Sequence, residues 1–69
     1  MTNKETFEKF EEAIRQAATY WDITELPPIM KAERNQNLIS GVMFAALYVL
    51  PGDDYQKLVM LCHELGFNH

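Results

Sequence analysis

The stretch LISGVMFAALYVL, residues 38–50, determines the fold, and it contains no charged side chain. Helical spacing places its apolar side chains on two adjacent stripes, one of Leu38, Val42, Ala45 and Val49 and the other of Ile39, Met43, Ala46 and Leu50. A helix that is apolar on nearly every side has to be surrounded by other elements. Because a membrane-spanning helix needs ~20 apolar residues, this shorter stretch predicts a buried central helix and no membrane segment.

The residues before this stretch predict an amphipathic first helix over about 3–21. Thr2 and Glu5 have the spacing of a capping box, in which each side chain accepts a hydrogen bond from the other residue's backbone N–H. Five apolar residues follow the spacing of one helical face: Phe7, Phe10, Ile14, Ala17 and Trp21. We expect this face to cover part of the central helix.

A second helix is predicted over about 28–49 and includes the apolar stretch. Proline forces extended geometry on the residue before it and suits the first turn of a helix, so Pro27 and Pro28 separate the first two helices. Asparagine lowers helix propensity because its side chain competes for backbone hydrogen bonds. The polar run at 35–37 therefore leaves two interpretations open, one continuous helix or a break near that run.

A third helix is predicted over about 54–65. A proline–glycine pair ends the second helix, and Asp53 stands three residues before Gln56, as in a helix-capping pair. The apolar stripe of this helix consists of Tyr55, Leu58, Cys62 and Leu65. Together the segments predict an all-α fold, a small three-helix bundle that forms a single helical domain over 1–69.

The length of the chain limits how such a bundle is stabilised. A chain of 69 residues buries only about 60% of the surface that its unfolded form exposes, and its core is marginal. Domains of this size commonly add disulfides, a metal or a partner subunit. Cys62 is the only cysteine, and a lone thiol is typical of a reducing compartment. Since the first residues also lack the apolar core of a secretion signal, we expect a cytoplasmic protein.

Charge argues against nucleic acid as a partner. The chain has ten acidic and six basic residues, a net charge of −4, and its basic residues do not cluster as phosphate binding requires. A helix-turn-helix is one alternative, because the turn at 51–53 has a suitable length, although its second helix would open with Asp53 and Asp54. Another alternative is an acidic inhibitor that mimics nucleic acid through the carboxylates of the first helix.

The C-terminal segment LCHELGFNH, residues 61–69, contains half of the zinc motif H-E-x-x-H. That motif places two histidines four residues apart on one helix face. Here Phe67 occupies the position four after His63, and His69 lies too far along the chain. Gly66 is instead predicted to end the helix in a left-handed cap, with Phe67 folded back onto the bundle. We therefore predict no metal site.

The sequence also indicates no catalytic site and no cofactor. Cys62 lies on the buried stripe of the third helix, where a thiol behaves as a small hydrophobe. Its neighbour His63 points about 100° away on a helix, so the two side chains cannot face each other. Neither a glycine-rich phosphate loop nor a serine nucleophile motif is present. We expect that the protein is not an enzyme.

Two aromatic residues stand at the end of the first helix. Tyrosine and tryptophan are enriched at the hot spots of protein interfaces. We expect Trp21 to close the end of the core against Ile23 and Leu26, and Tyr20 to be available to a partner.

The surplus of apolar surface is the strongest indication of function. Two flanking helices cover only part of the central helix, and twofold homodimers are the commonest oligomers. The alternative is that three helices cover it fully and leave scattered apolar side chains exposed. We predict a protein–protein interaction or regulatory accessory module, which binds a protein partner through an apolar helical face as a homodimer. The predicted interface residues are Val42, Met43, Ala46, Leu47, Val59, Met60 and Tyr20.

Overall fold

The computed structural model describes residues 3–68 and confirms the predicted all-α three-helix bundle. Its three helices are α1 (Asn3–Ala17), α2 (Pro28–Val49) and α3 (Gly52–Glu64). Each helix packs against the other two. The predicted capping residue Thr2 and the C-terminal His69 lie outside the described residues.

The hydrophobic core lies where the three helices meet. The buried apolar residues come from every helix and are Ile14, Ala17, Ile39, Met43, Ala46, Leu50, Leu58, Leu61 and Cys62. Of the two apolar stripes on α2, the one that begins at Ile39 faces inward, while Leu38 and Val49 of the other stripe are exposed. Phe7 and Phe10 of α1 pack against the edge of this core. The face that the sequence predicts for α1 is therefore the face that it buries.

α1 ends at Ala17, four residues earlier than predicted, and continues into a series of turns. The backbone N–H of Thr19 bonds the carbonyl of Gln16 at 3.3 Å, and that of Asp22 bonds the carbonyl of Thr19 at 3.0 Å. These bonds span three residues instead of the four of an α-helix, so the chain tightens as it leaves α1. Trp21 thus lies in the turn and not on the stripe of α1.

α2 runs through 35–37 without a break, so the interpretation as one continuous helix is correct. Asn35 is buried, and its side chain bonds the turn that follows α1. Gln36 bonds the backbone of Asn68, in the segment after α3. Because both amides are occupied by other segments, they do not compete for the hydrogen bonds of their own helix.

α3 begins at Gly52, two residues earlier than predicted. Pro51 is the N-cap residue, with φ −57° and ψ 154°, and the cap has no side-chain hydrogen bond. The carbonyl of Pro51 instead accepts the N–H of Tyr55 at 3.0 Å. Asp53 therefore lies inside the first turn, where its carboxylate interacts favourably with the positive end of the helix dipole, and does not cap the helix as predicted.

The end of α3 has the predicted left-handed glycine cap. Gly66 has a φ of 89°, its N–H bonds the carbonyl of His63 at 3.0 Å, and the N–H of Phe67 bonds the carbonyl of Cys62 at 2.9 Å. This pair of bonds defines a Schellman motif. Phe67 packs against the core, so the cap folds the C-terminal segment back onto the bundle.

Candidate interaction surface on the second helix

The C-terminal half of α2 carries a contiguous set of exposed apolar and small residues, which we call the outer face: Leu38, Gly41, Phe44, Ala45, Leu47, Tyr48 and Val49. Phe44 is 65% exposed and Tyr48 is 75% exposed. These two large aromatic side chains remain mostly in water, and contiguous exposed apolar patches often mark interaction sites. The outer face is therefore the candidate site.

The two aromatic rings of the outer face pack against each other. Phe44 and Tyr48 lie one helical turn apart, and their ring centroids are 5.2 Å apart with an interplanar angle of 65°. This edge-to-face geometry is a favourable arrangement for aromatic rings. The two packed rings form an aromatic ridge on the outer face.

The outer face lies in an uncharged part of the chain. From Asn35 through Gly52 the sequence contains no Asp, Glu, Lys or Arg, although the net charge of the whole chain is −4. Carboxylates are concentrated instead on α1 and in the first turn of α3, where Asp53 and Asp54 lie. A partner of the outer face therefore meets apolar surface and no formal charge.

Gly41 lies three residues before Phe44 on the outer face. A Cβ atom added there would meet no other atom within 4 Å. The packing of the bundle itself therefore does not require a glycine at this position. Glycine in the middle of a helix is unfavourable, because it loses more backbone entropy than any other residue.

The structure corrects two of the predicted interface residues. Met43 and Ala46 are completely buried in the core, so neither side chain has surface to offer a partner. Val42 and Val59 are half-buried and pack against the same core. These four residues belong to the inward or lateral sides of their helices. On α2, the stripe of Ile39 is the one that faces the core.

Three other predicted interface residues are exposed, and one of them lies on the outer face of α2. Leu47 is on the outer face. Tyr20 lies in the turn after α1, which bonds Asn35 in the N-terminal half of α2. Phe44 lies nine positions beyond Asn35, about 14 Å along a helix axis. Met60 is exposed on α3. Only Leu47 is thus part of the candidate site.

Phe44 and Tyr48, the most exposed aromatics of α2, are not among the predicted interface residues. A signal for them is present in the sequence. Asn37, Gly41, Phe44 and Tyr48 follow 4-3-4 spacing, which places them on one side of a helix. The polar Asn37 on that line marks it as the outward side, since asparagine is mostly exposed in folded proteins.

The surroundings of Trp21 differ from the prediction. Its indole lies under the guanidinium of Arg34, with 4.7 Å from Cζ to the ring centroid, and edge-to-face against Tyr20 at 5.6 Å. Ile23 is 92% exposed and therefore does not close the core with Trp21. The tryptophan is instead covered by a cation and an aromatic ring.

The described residues offer little to a small ligand or an ion. Within residues 3–68 no pocket is found, and no three His, Cys, Asp or Glu side chains are placed to share a metal ion. Burial raises the pKa of the Cys62 thiol, which disfavours the nucleophilic thiolate. In the same part of the chain, none of the helices combines the length and the apolarity needed to cross a bilayer.

Comparison of the chain with protein-family models, with curated proteins and with solved structures finds no match. The surface chemistry of the bundle is therefore the basis for a functional inference. On that surface, the outer face of α2 combines two strongly exposed aromatic side chains with an absence of charge.

Proposed function

We propose that the protein is a small interaction module that acts by binding a protein partner through the outer face of α2, in an accessory or regulatory role. The observation that carries the proposal is the exposure of Phe44 and Tyr48 on an uncharged helix face. It acts by occupying a surface: the bound module recruits its partner or blocks the partner surface that it covers. No catalytic step is part of the proposal.

The chemistry of the outer face sets the kind of partner and the strength of binding. The exposed parts of Phe44 and Tyr48 amount to roughly 280 Å², for side chains that bury about 200 Å² each. At about 25 cal/mol per Å² their burial is worth ~7 kcal/mol before the cost of association, which is ~4–15 kcal/mol. We therefore expect a partner with an apolar binding surface and a reversible complex.

The proposal places the protein in the cytoplasm. Cys62 is a free, buried thiol, and the bundle folds without a disulfide. A reducing compartment preserves such a thiol. The partner in this proposal is therefore a cytoplasmic protein.

The test compares two charge insertions on the same helix. Phe44→Glu places a carboxylate on the outer face, and Ile29→Glu places one at the opposite end of α2, where Ile29 is 78% exposed. In cells that make the protein, the proteins that cross-link to the wild type should also cross-link to Ile29→Glu. With Phe44→Glu the yield of these cross-links should fall at least tenfold. Circular dichroism checks that both variants remain helical.

The opposite pattern would contradict the proposal. If Phe44→Glu retains every cross-linked protein at wild-type yield, then the outer face does not bind them. If Ile29→Glu loses them while Phe44→Glu does not, then the binding surface lies at the other end of α2.

A further inference from the structure

We infer that the partner of the outer face is a second copy of the chain, with the two α2 helices antiparallel about a twofold axis. This inference rests on the proposed function and names the partner for the same surface. Three observations support it: the distribution of charge, the order of large and small residues along α2, and the open space at Gly41.

Charge favours the outer face as the meeting surface of two copies. Each copy has a net charge of −4, so most ways of bringing two copies together oppose carboxylates, which is unfavourable. The stretch from Asn35 through Gly52 has no charged residue and avoids this repulsion. A strongly charged partner would find no complementary group on the same face.

The outer face is complementary in shape to itself. Gly41, Phe44, Ala45 and Tyr48 share one side of α2 because they are spaced by three and four residues. In an antiparallel pair whose axis passes between Phe44 and Ala45, each Phe44 lies opposite the Ala45 of the other copy. In the same register each Tyr48 lies opposite the other copy's Gly41. Both aromatic side chains thus meet a small residue.

The space at Gly41 fits this register. Nothing in its own chain lies within 4 Å of a Cβ at this position, and glycine is the least favourable helix-interior residue after proline. In the antiparallel pair, the ring of Tyr48 from the second copy fills the space above the glycine. The small residues also allow the two helix axes to approach to about 8 Å.

The size of the face predicts weak self-association. With Leu38, Leu47 and Val49 counted at about 100 Å² each when fully exposed, the outer face exposes on the order of 400 Å² of apolar side chain per copy. Stable interfaces bury about 800 Å² per partner. We therefore expect dimers to form reversibly as the concentration rises from micromolar to millimolar.

Sedimentation equilibrium of the purified chain over that concentration range tests the inference. The wild-type mass should rise from 8.0 kDa towards twice that value. Gly41→Leu should remain folded, since the space is open within one copy, but its dimer should dissociate at least tenfold more readily because the added side chain collides with the opposing Tyr48. A wild type that stays monomeric at millimolar concentration, or Gly41→Leu dimers as strong as wild type, overturns the inference.

Two further variants test the register. Adding Tyr48→Ala to Gly41→Leu exchanges the large and small residues of one opposing pair, and it should restore dimerisation at least threefold relative to Gly41→Leu alone. Ala32→Leu adds the same side chain to an exposed position of α2 far from the axis and should leave the dimer unchanged. If Ala32→Leu weakens the dimer as much as Gly41→Leu does, the proposed register is wrong.

These results separate the inference from the proposed function. A monomeric wild type that still loses its cross-linked proteins in Phe44→Glu would refute the second copy and retain the interaction module. A dimer that is insensitive to Gly41→Leu, with cross-links that are insensitive to Phe44→Glu, would refute both.

Discussion

A single buried amide, Asn35, joins α2 to the turn that follows α1. Its Nδ2 donates to the carbonyl oxygen of Ala18 at 3.0 Å and to Oδ1 of Asp22 at 2.9 Å, and its Oδ1 accepts the backbone N–H of Trp21 at 2.9 Å. Only 2% of Asn35 is exposed. A buried polar group is tolerable only when its hydrogen bonds are made, and here both ends of the amide are satisfied.

Replacing Asn35 should be costly because its partners would be left buried without a bond. We expect Asn35→Ala to lower the free energy of unfolding by about 2–3 kcal/mol, since an unsatisfied buried group costs ~1–3 kcal/mol. The matched control is Asn37→Ala, at an exposed position of the same helix. This variant should change the free energy of unfolding by less than about 0.5 kcal/mol. Urea unfolding followed by the fluorescence of Trp21 measures both, and equal losses would contradict this role of Asn35.

Among the elements, α3 and its cap show how the C-terminal segment is fixed. The Schellman bonds at Gly66 and Phe67 turn the chain back, and Gln36 of α2 then bonds Asn68 twice. Its Nε2 donates to the carbonyl of Asn68 at 2.8 Å, and its Oε1 accepts the N–H of Asn68 at 3.0 Å. The segment after α3 is thus held by its own helix and by α2.

The positive φ of Gly66 makes a side chain at this position costly. In the left-handed region Cβ approaches the following carbonyl, so Gly66→Ala should lower the free energy of unfolding by about 1–2 kcal/mol. Asparagine tolerates this conformation better than alanine does, and Gly66→Asn should lose less. Thermal unfolding by circular dichroism compares the two variants. An alanine variant as stable as wild type would show that the cap does not constrain the chain.

The helices themselves could be predicted from local patterns, but the end of α1 and the continuity of α2 could not. α1 stops at Ala17 because Asn35, seventeen residues beyond Ala18, bonds the carbonyl of Ala18. No local pattern contains that partner. The same bonds explain why α2 continues through 35–37, where asparagine propensity alone leaves a break open.

The candidate site could be predicted only as far as its helix. Because the stretch 38–50 is apolar on nearly every side, periodicity does not tell the inward stripe from the outward one. Met43 is predicted on the surface but is buried, whereas its neighbour Phe44 is not predicted there but is exposed. The packing of α1 and α3 on the Ile39 stripe determines which side of α2 is buried. This packing depends on contacts between helices and not on the local sequence of α2.

For the molecule as a whole, one small core connects all three helices. Leu58 of α3 and Ile14 of α1 are completely buried in the same cluster as Ile39 of α2. A domain of this length has a free energy of unfolding on the order of 3–10 kcal/mol. The loss of any large core side chain therefore removes a large part of the total stability.

We expect Leu58→Ala to destabilise the whole bundle together, by about 2–5 kcal/mol. Trp21 lies in the turn after α1, so its fluorescence reports on a part of the chain outside α3. In urea titrations, unfolding followed by Trp21 fluorescence should coincide with unfolding followed by the helical circular dichroism signal. Leu58→Ala should lower the urea midpoint equally for both probes. Met60→Ala, at an exposed position two residues further along α3, should shift neither appreciably. Separate transitions for the two probes would show that α3 unfolds independently.

Asn35 and Gln36 are neighbours on α2, and their side chains bind segments that are far apart in the sequence. Asn35 binds the turn at 18–22, and Gln36 binds Asn68. A brief loosening of this one turn of α2 would therefore release both segments in a single event. Their amide hydrogens would exchange with solvent at matched rates, as one non-contiguous opening unit. The order of both segments therefore depends on this one turn of α2.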